Sequence, residues 1–209
     1  ELLGTRFEYM EEPYAFPFRI LGREIKGYQE IPLNIDASSQ FLSALLLAGV
    51  MQKEGFRIHL TGTRDARSYV NISMKMMDAF GCRMQMCGED DYEILPDSSY
   101  LARTYQIEPD VSAACYFYAM AAVNGGSARV KHVHKDSTQG DIRFIELLQK
   151  MGCTCMDGAD GICLRAPKDG VLHGLTVDMS DFSDQTMTLA AVAPFADGPV
   201  VIHGVGHIR

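Results

Sequence analysis

The feature that most limits how this chain can fold is an internal repeat of about 70 residues. The segments DAFGCRMQMCGEDDYEIL (78–95) and QKMGCTCMDGADGICLRA (149–166) each end a helical pattern at a glycine and continue with two short alternating stretches. These glycines, Gly81 and Gly152, suit the left-handed C-cap of a helix, where a side chain would clash. The repeat therefore predicts that the chain is built from copies of one structural unit.

The segments upstream of the glycines complete that unit. Residues 65–81 and 136–152 both begin with an aspartate and then place apolar residues at helical spacing. Asp36, Asp110 and Asp181 each precede a more apolar helical pattern, which a β-rich stretch follows. The unit thus reads strand, buried helix, strand, amphipathic helix and strand pair, and predicts an α/β (α+β) fold of repeated βαβαββ units.

The repeat also predicts that the chain is part of something larger. It contains the tail of one unit (1–24), two complete units (about 25–100 and 101–168) and the front half of a third. An α/β repeat that is cut at both ends is expected in a piece of a longer protein, so the absence of a leader sequence is uninformative.

The composition of the chain argues against several kinds of partner and ligand. A formal net charge of -8 argues against a general nucleic-acid or membrane-surface binder, and the longest apolar run, 41–51, is too short to span a membrane. Six cysteines without a dense framework favour free thiols in a reducing cytoplasm. The pairs Cys153/Cys155 and His132/His134 lack further ligands at metal-site spacing, so no metal and no other cofactor is expected.

The stretch DASSQFLSALLLAG (36–49) places polar residues directly in front of an apolar helical run. One interpretation is a helix cap, in which Asp36 or Ser38 accepts a hydrogen bond from the first-turn N–H groups. The other is an anion site, because a helix N-terminus with hydroxyl and amide side chains favours a phosphate. The residues of this stretch leave both interpretations open.

Three motifs, taken together, resemble one enzyme family. SSQFLSALLLA (38–48), DSTQGDIRFIELLQKMG (136–152) and DFSDQTMTLAAVAPFADG (181–198) resemble, in this order and at this spacing, the 5-enolpyruvylshikimate-3-phosphate synthase family. The resemblance covers almost the whole chain but about half of a family member. It implies two globular domains of three βαβαββ units each, the inside-out barrel type, with residues 1–107 in the first domain and 108–209 in the second.

The resemblance also implies a reaction. The family moves the enolpyruvyl group of phosphoenolpyruvate to the 5-hydroxyl of shikimate 3-phosphate and releases phosphate, a step of the shikimate pathway toward chorismate and the aromatic amino acids. Both substrates are small molecules, so neither a nucleic acid nor a membrane is an expected partner.

The acceptor site follows from the resemblance residue by residue. Ser38 and Ser39 match positions that hold the phosphate of shikimate 3-phosphate, and Gln40 matches one that reaches the ring and the second substrate. Tyr69 matches a further position on this substrate. The family serine three residues before that tyrosine is an alanine here, and the neighbouring Arg67 is expected to supply charge in its place.

Two residues of the second half complete the expected site. Asp184 matches the catalytic aspartate of the family, and its carboxylate is expected to accept the proton of the 5-hydroxyl. His207 stands where the family has an asparagine near the phosphate. The distinctive residues Gln139, Gly140, Asp141 and Arg143 are interpreted as structural, since they suit a tight helix entry.

Several basic residues that hold phosphoenolpyruvate in the family have no match here, so the 209-residue chain alone is expected to be inactive. Two alternatives remain: a relative of the UDP-N-acetylglucosamine enolpyruvyl transferase, and a non-catalytic sugar-phosphate-binding module. Self-association is also expected, because cut sheets expose edges that hydrogen-bond.

Overall fold

A computed structural model describes residues 5–22, 27–62, 67–206 and 208 of the chain. The chain divides into two compact units, residues 1–104 and 105–209, and each is described by itself. No helix among the described residues is both long enough and apolar enough to cross a bilayer.

The first unit contains the βαβαββ order that the repeat predicts, after a separate antiparallel pair of strands. Its elements are β1 (Arg6–Tyr9), β2 (Phe18–Leu21), β3 (Gln29–Asn34), α1 (Gln40–Gly49), β4 (Phe56–Thr61), α2 (Arg67–Ala79), β5 (Met84–Met86) and β6 (Asp91–Ile94). The four later strands form one sheet in the order β3-β4-β6-β5. Strands β3 and β4 are parallel, and the other pairs are antiparallel. The predicted order is confirmed in this unit.

Helix α1 is less buried than its apolar sequence suggests. Leu42 and Leu46 are buried against the sheet, whereas Phe41 and Leu47 are exposed. The helix packs on the sheet and on α2 through its buried residues. The hydroxyl of Tyr100 donates to the carbonyl of Leu47, whose side chain stays exposed. The expectation of a fully buried helix is therefore wrong within the described part of the chain.

The second unit contains the same order of helix, strand, helix and strand pair, followed by a strand, a helix and a strand of the next repeat. Its elements are α3 (Val111–Val123), β7 (Ser127–Arg129), α4 (Arg143–Lys150), β8 (Thr154–Gly158), β9 (Gly161–Arg165), β10 (Leu175–Asp178), α5 (Thr186–Val192) and β11 (Val200–His203). Strands β7, β9 and β8 form an antiparallel sheet, and β10 pairs with β11 in parallel. Residues 101–110 join none of the described sheets, so the strand expected before α3 is absent there.

The two repeated glycines end helices as the sequence predicts. Gly81 follows α2 with a φ of 82°, and Gly152 follows α4 with a φ of 108°. The next amide in each case, from Cys82 or Cys153, reaches back five residues to a helical carbonyl. This is the Schellman arrangement, which needs a left-handed residue at the glycine position.

Gly161, the first residue of β9, gives a testable consequence for stability. Its φ is 113°, and an added Cβ would collide with the carbonyl oxygen of Val130. We expect Gly161→Ala to destabilise the second unit by more than about 2 kcal/mol, because the left-handed conformation alone costs about 1–2 kcal/mol. Gly125→Ala is the control in urea denaturation, since its φ is 72° but no atom lies within 4 Å of the added Cβ. Equal losses in both variants would contradict the backbone collision.

The cysteines behave as the sequence predicts. All six lie in described residues and carry free thiols. Burial raises the pKa of Cys115, and burial also raises that of Cys153 to about 11. Such thiols pack as small apolar groups and are poor nucleophiles.

Candidate functional site

The site residues of the first unit lie at one edge of its sheet. Because β3 and β4 are parallel neighbours, their carboxyl ends share an edge, and helices α1 and α2 both begin there. Gly62 directly follows β4, and a Cβ at this position would lie 2.6 Å from a carboxylate oxygen of Asp36. The loops after the two strands are therefore in close contact, and this kind of edge is where open α/β sheets bind ligands.

Ser38, Ser39 and Gln40 form the entry to α1. The hydroxyl oxygen of Ser38 accepts a hydrogen bond from the backbone N–H of Gln40 at 3.1 Å. Ser39 is buried and its carbonyl accepts the N–H groups of Leu42 and Ser43, while the side chain of Gln40 is exposed. A capping role for Ser38 is thus present in the structure, and the exposed amide of Gln40 stands at the positive end of the helix.

The remaining first-unit residues stand at the start of α2. This helix begins at Arg67, and Tyr69 lies in its first turn with 38% of its surface exposed. Residue Ala66, which replaces the family serine, lies outside the described residues. The structure therefore brings two helix N-termini with candidate substrate-binding residues to the same edge of one sheet.

The second unit has a matching edge. Strands β10 and β11 are parallel, so their carboxyl ends share an edge. Gly204 directly follows β11, and a Cβ at this position would collide with the carboxylate of Asp178 at the end of β10. The backbone N–H and the hydroxyl of Ser180 hold the pKa of Asp178 below its ordinary range. The repeat pairs Asp181 with Asp36, which lies beside Gly62, but the carboxylate beside Gly204 is that of Asp178.

Asp184 lies on a 3-10 helix, residues 180–185, between β10 and α5. Its side chain is exposed and lines a cavity of about 360 Å³ between α3 and α5. The other lining residues are mainly apolar and include Tyr116, Met120 and Met187. Among the described residues, this cavity supplies a carboxylate that is open to a ligand and no basic side chain.

The motif from Gln139 to Arg143 has a clear structural role at the start of α3. The Gln139 side-chain oxygen accepts the N–H of Val111 at 2.9 Å, and its amide nitrogen donates to the Pro109 carbonyl at 2.7 Å. Helix α4 consequently begins at Arg143, later than the polar segment from Asp136 suggests. These bonds to the start of the neighbouring helix α3 explain why the motif is so rich in polar residues.

Glu108 holds the same segment from the other side. Its carboxylate accepts hydrogen bonds from Ser137, Thr138 and Gln139. Burial acts to raise the pKa of Glu108, but these hydrogen bonds outweigh it and hold the pKa below its ordinary range. The carboxylate is therefore ionised at neutral pH, which suits the four donor groups around it, since Thr138 donates through both its backbone N–H and its hydroxyl.

Sequence reasoning missed a set of contacts beside Asp184. Gln185 is 1% exposed and donates to the buried carboxylate of Asp141, while Arg143 pairs with Asp181. The repeat contained one signal for the role of Gln185, because this residue directly precedes an apolar helical run at the position that corresponds to Gln40. His207 lies outside the described residues.

Comparison with known proteins identifies the same family as the sequence motifs do. The family model described as EPSP synthase (3-phosphoshikimate 1-carboxyvinyltransferase) matches residues 1–209. A 3-phosphoshikimate 1-carboxyvinyltransferase from Trichormus variabilis is 40% identical over 206 residues, which are 99% of this chain and 48% of that protein. One from Methanoculleus marisnigri is 36% identical over 207 residues, again 99% of this chain and 48% of that protein.

Solved structures show the same fold. The chain matches an EPSP synthase from Acinetobacter baumannii with a TM-score of 0.73 at 24% identity, covering 100% of this chain and 47% of the other. It matches the enolpyruvyl transferase NikO from Streptomyces tendae with a TM-score of 0.69 at 15% identity, covering 96% and 48%. The predicted repeat fold of enolpyruvyl transferases is therefore confirmed, and the chain spans about half the length of the curated relatives that it matches. By its match over all 209 residues, the chain belongs to the EPSP synthase family.

Proposed function

We propose that the protein carrying this chain is a 3-phosphoshikimate 1-carboxyvinyltransferase. It moves the enolpyruvyl group of phosphoenolpyruvate to the 5-hydroxyl of shikimate 3-phosphate and releases phosphate. The observation that carries the proposal is the entry to α1, where Ser38, Ser39 and Gln40 stand at the carboxyl edge of parallel strands in a chain of this family.

The first unit contributes the acceptor site in this proposal. The phosphate of shikimate 3-phosphate binds at the N-terminus of α1, where the positive end of the helix dipole favours an anion. Ser38 and Ser39 serve the phosphate, and Gln40 donates to the ring hydroxyls. Arg67 and Tyr69 add a charge and a hydroxyl from the start of α2, which offsets locally the unfavourable net charge of -8. His207 is proposed as a further phosphate contact.

Asp184 contributes general-base chemistry. Its exposed carboxylate accepts the proton of the 5-hydroxyl while that oxygen bonds to C2 of phosphoenolpyruvate, and the methylene carbon C3 gains a proton. The tetrahedral adduct then loses phosphate from C2 and a proton from C3, which gives the enolpyruvyl ether. Among the described residues, no basic side chain lines the adjoining cavity, which supports a role for this carboxylate as the base.

The first alternative is an enolpyruvyl transferase that uses UDP-N-acetylglucosamine. This chain shares its fold with a second enolpyruvyl transferase, NikO, so the fold alone does not select the acceptor. The Ser-Ser-Gln entry of α1 favours the shikimate acceptor instead. The second alternative, a non-catalytic sugar-phosphate-binding module, predicts binding of the acceptor without turnover.

The expected setting of the protein is the cytoplasm, which the six free thiols support. We also propose self-association through open sheet edges such as β3, whose outer side pairs with no described strand. Light scattering of the purified chain measures this, and a monomer mass at all concentrations would contradict it.

Calorimetric titration with shikimate 3-phosphate tests the acceptor site on the 209-residue chain. We expect binding, and we expect Gln40→Ala to weaken it about tenfold because one or two hydrogen bonds to the ligand are lost. Gln149→Ala removes an exposed glutamine from α4 in the second unit and is expected to leave the affinity unchanged.

The comparison ligand in this titration is UDP-N-acetylglucosamine. Binding of the UDP sugar alone would replace the proposed acceptor by the first alternative. Equal weakening in Gln40→Ala and Gln149→Ala would contradict the placement of the phosphate site at α1.

A further inference from the structure

We propose that Asp141 and Arg143 are positioning residues for the Asp184 carboxylate. They hold the 180–185 turn on both sides of Asp184 and so fix the direction of its side chain. The inference deepens the proposed function and rests on the role of Asp184 in it. It also gives the most distinctive motif of the sequence, Gln-Gly-Asp-Ile-Arg, a part in the reaction that a helix entry alone would not give.

The first anchor is a buried polar network on the C-terminal side of Asp184. Asp141 is 5% exposed, and its Oδ2 accepts the side-chain N–H of Gln185 at 3.0 Å. The same oxygen accepts the hydroxyl of Ser112 in the first turn of α3. Gln185, the residue directly after Asp184, is therefore tied through one carboxylate to the start of a long helix.

This anchor is costly to break. The Oε1 atom of Gln185 is buried and makes no hydrogen bond among the described residues. The Gln185 side chain is therefore held through its amide nitrogen, which donates to Asp141. If this bond were broken, a buried amide and a buried carboxylate would be left without a partner, and the folded state would be destabilised by their desolvation. The network thus holds the end of the turn in one arrangement.

The second anchor lies on the N-terminal side of Asp184. Arg143, the first residue of α4, pairs with Asp181 at 2.5 Å between Nη1 and Oδ2. Both side chains are about half exposed, so the pair itself adds little to the free energy of unfolding. Its geometric effect is larger, because it fixes the start of the turn three residues before Asp184.

The turn needs such support. It is a 3-10 helix with a break in the helical geometry at Phe182, where φ is -146° and ψ is 46°. Asp184 itself is exposed, and two residues that the motif holds, Asp181 and Gln185, flank it. A general base must lie within hydrogen-bond reach of its proton, and a displacement of about 1 Å can cost about 100-fold in rate.

The first experiment measures the turn directly, by hydrogen exchange and mass spectrometry on the 209-residue chain. We expect Arg143→Gln and Asp181→Asn each to raise amide exchange in residues 180–186 about threefold, and Gln185→Leu to raise it more. Arg129→Gln is the matched control, because it removes another exposed ion pair of this unit, with Asp160 at 3.7 Å. Unchanged exchange in the turn would overturn the proposal.

The second experiment measures turnover in the complete protein that carries this chain. We expect Arg143→Gln to lower kcat about tenfold with KM unchanged, and Arg143→Lys to recover most of the rate. In the Asp184→Asn background, Arg143→Gln is expected to cause no further loss, since it acts through that carboxylate. An equal further loss in this background would show a merely structural role and overturn the proposal.

The two experiments separate the two claims. A complete protein that binds no shikimate 3-phosphate and makes no product overturns the proposed function, and the positioning role falls with it even if exchange in the turn rises. A protein that turns over substrate but shows no response to Arg143→Gln overturns the positioning role alone.

Discussion

Replacing Asp184 with asparagine is expected to lower kcat for enolpyruvyl transfer by about 10²- to 10⁴-fold in the complete protein, the range for loss of a general base. The asparagine keeps the size and polarity of the side chain but cannot take up the proton of the 5-hydroxyl. The KM for shikimate 3-phosphate is expected to change little, because the proposed phosphate site lies at α1 in the first unit. Steady-state release of phosphate measures both constants.

Asp160→Asn is the matched control for this prediction. Asp160 is an exposed carboxylate of the same unit and lies in the turn between β8 and β9, where it pairs with Arg129. We expect this variant to keep the parent rate. A loss of less than about tenfold in Asp184→Asn would contradict general-base catalysis by this residue, since such catalysis contributes at least about 100-fold.

Replacing Phe144 with alanine is expected to lower the free energy of unfolding of the second unit by about 3–5 kcal/mol, the range for deleting a buried aromatic ring. Phe144 lies in the first turn of α4, is 0% exposed and belongs to the large apolar cluster that the described residues of this unit form. The loss has two parts: the hydrophobic free energy of burying the ring, and the cost of the cavity that its removal leaves. Urea denaturation followed by circular dichroism measures it.

Phe117→Ala is the control, because it deletes the same ring from a side chain that is 55% exposed on α3. A surface substitution of this kind is expected to change the free energy of unfolding by about 0.5 kcal/mol or less. If both variants lost similar amounts, the apolar cluster would not be the main source of stability that its burial indicates.

The order of elements was predictable because it depends on local patterns. The alternating and helical spacings around Gly81 and Gly152 predict a strand pair after each helix, and the structure has β5/β6 and β8/β9 there. The left-handed glycines follow from the same local rule, since only glycine adopts that conformation without cost. Such features need no knowledge of distant contacts.

The extent of burial was not predictable from those patterns. An apolar helix such as α1 reads as buried on all sides, but burial depends on how many elements pack against it, and one side with Phe41 and Leu47 is exposed here. The missing strand at 101–110 has the same cause, because a strand exists only where a partner strand accepts its hydrogen bonds.

Candidate site residues could be named from the sequence where they are contiguous, whereas contacts between distant positions could not. Ser38, Ser39 and Gln40 are neighbours in sequence, so one motif names them all. The contact between Asp141 and Gln185 joins positions 44 residues apart. No local pattern fixes such a contact, and a motif that supports a distant turn reads from sequence as a simple helix entry.

The most direct test of the central claim is product formation by the complete protein from shikimate 3-phosphate and phosphoenolpyruvate. Phosphorus-31 NMR follows both substrates, the product and the released phosphate in one sample. Loss of phosphoenolpyruvate with equal formation of phosphate and enolpyruvyl shikimate 3-phosphate, and only when shikimate 3-phosphate is present, is the result that we predict. Transfer to UDP-N-acetylglucosamine instead, or no consumption of phosphoenolpyruvate with either acceptor, would contradict the proposed function.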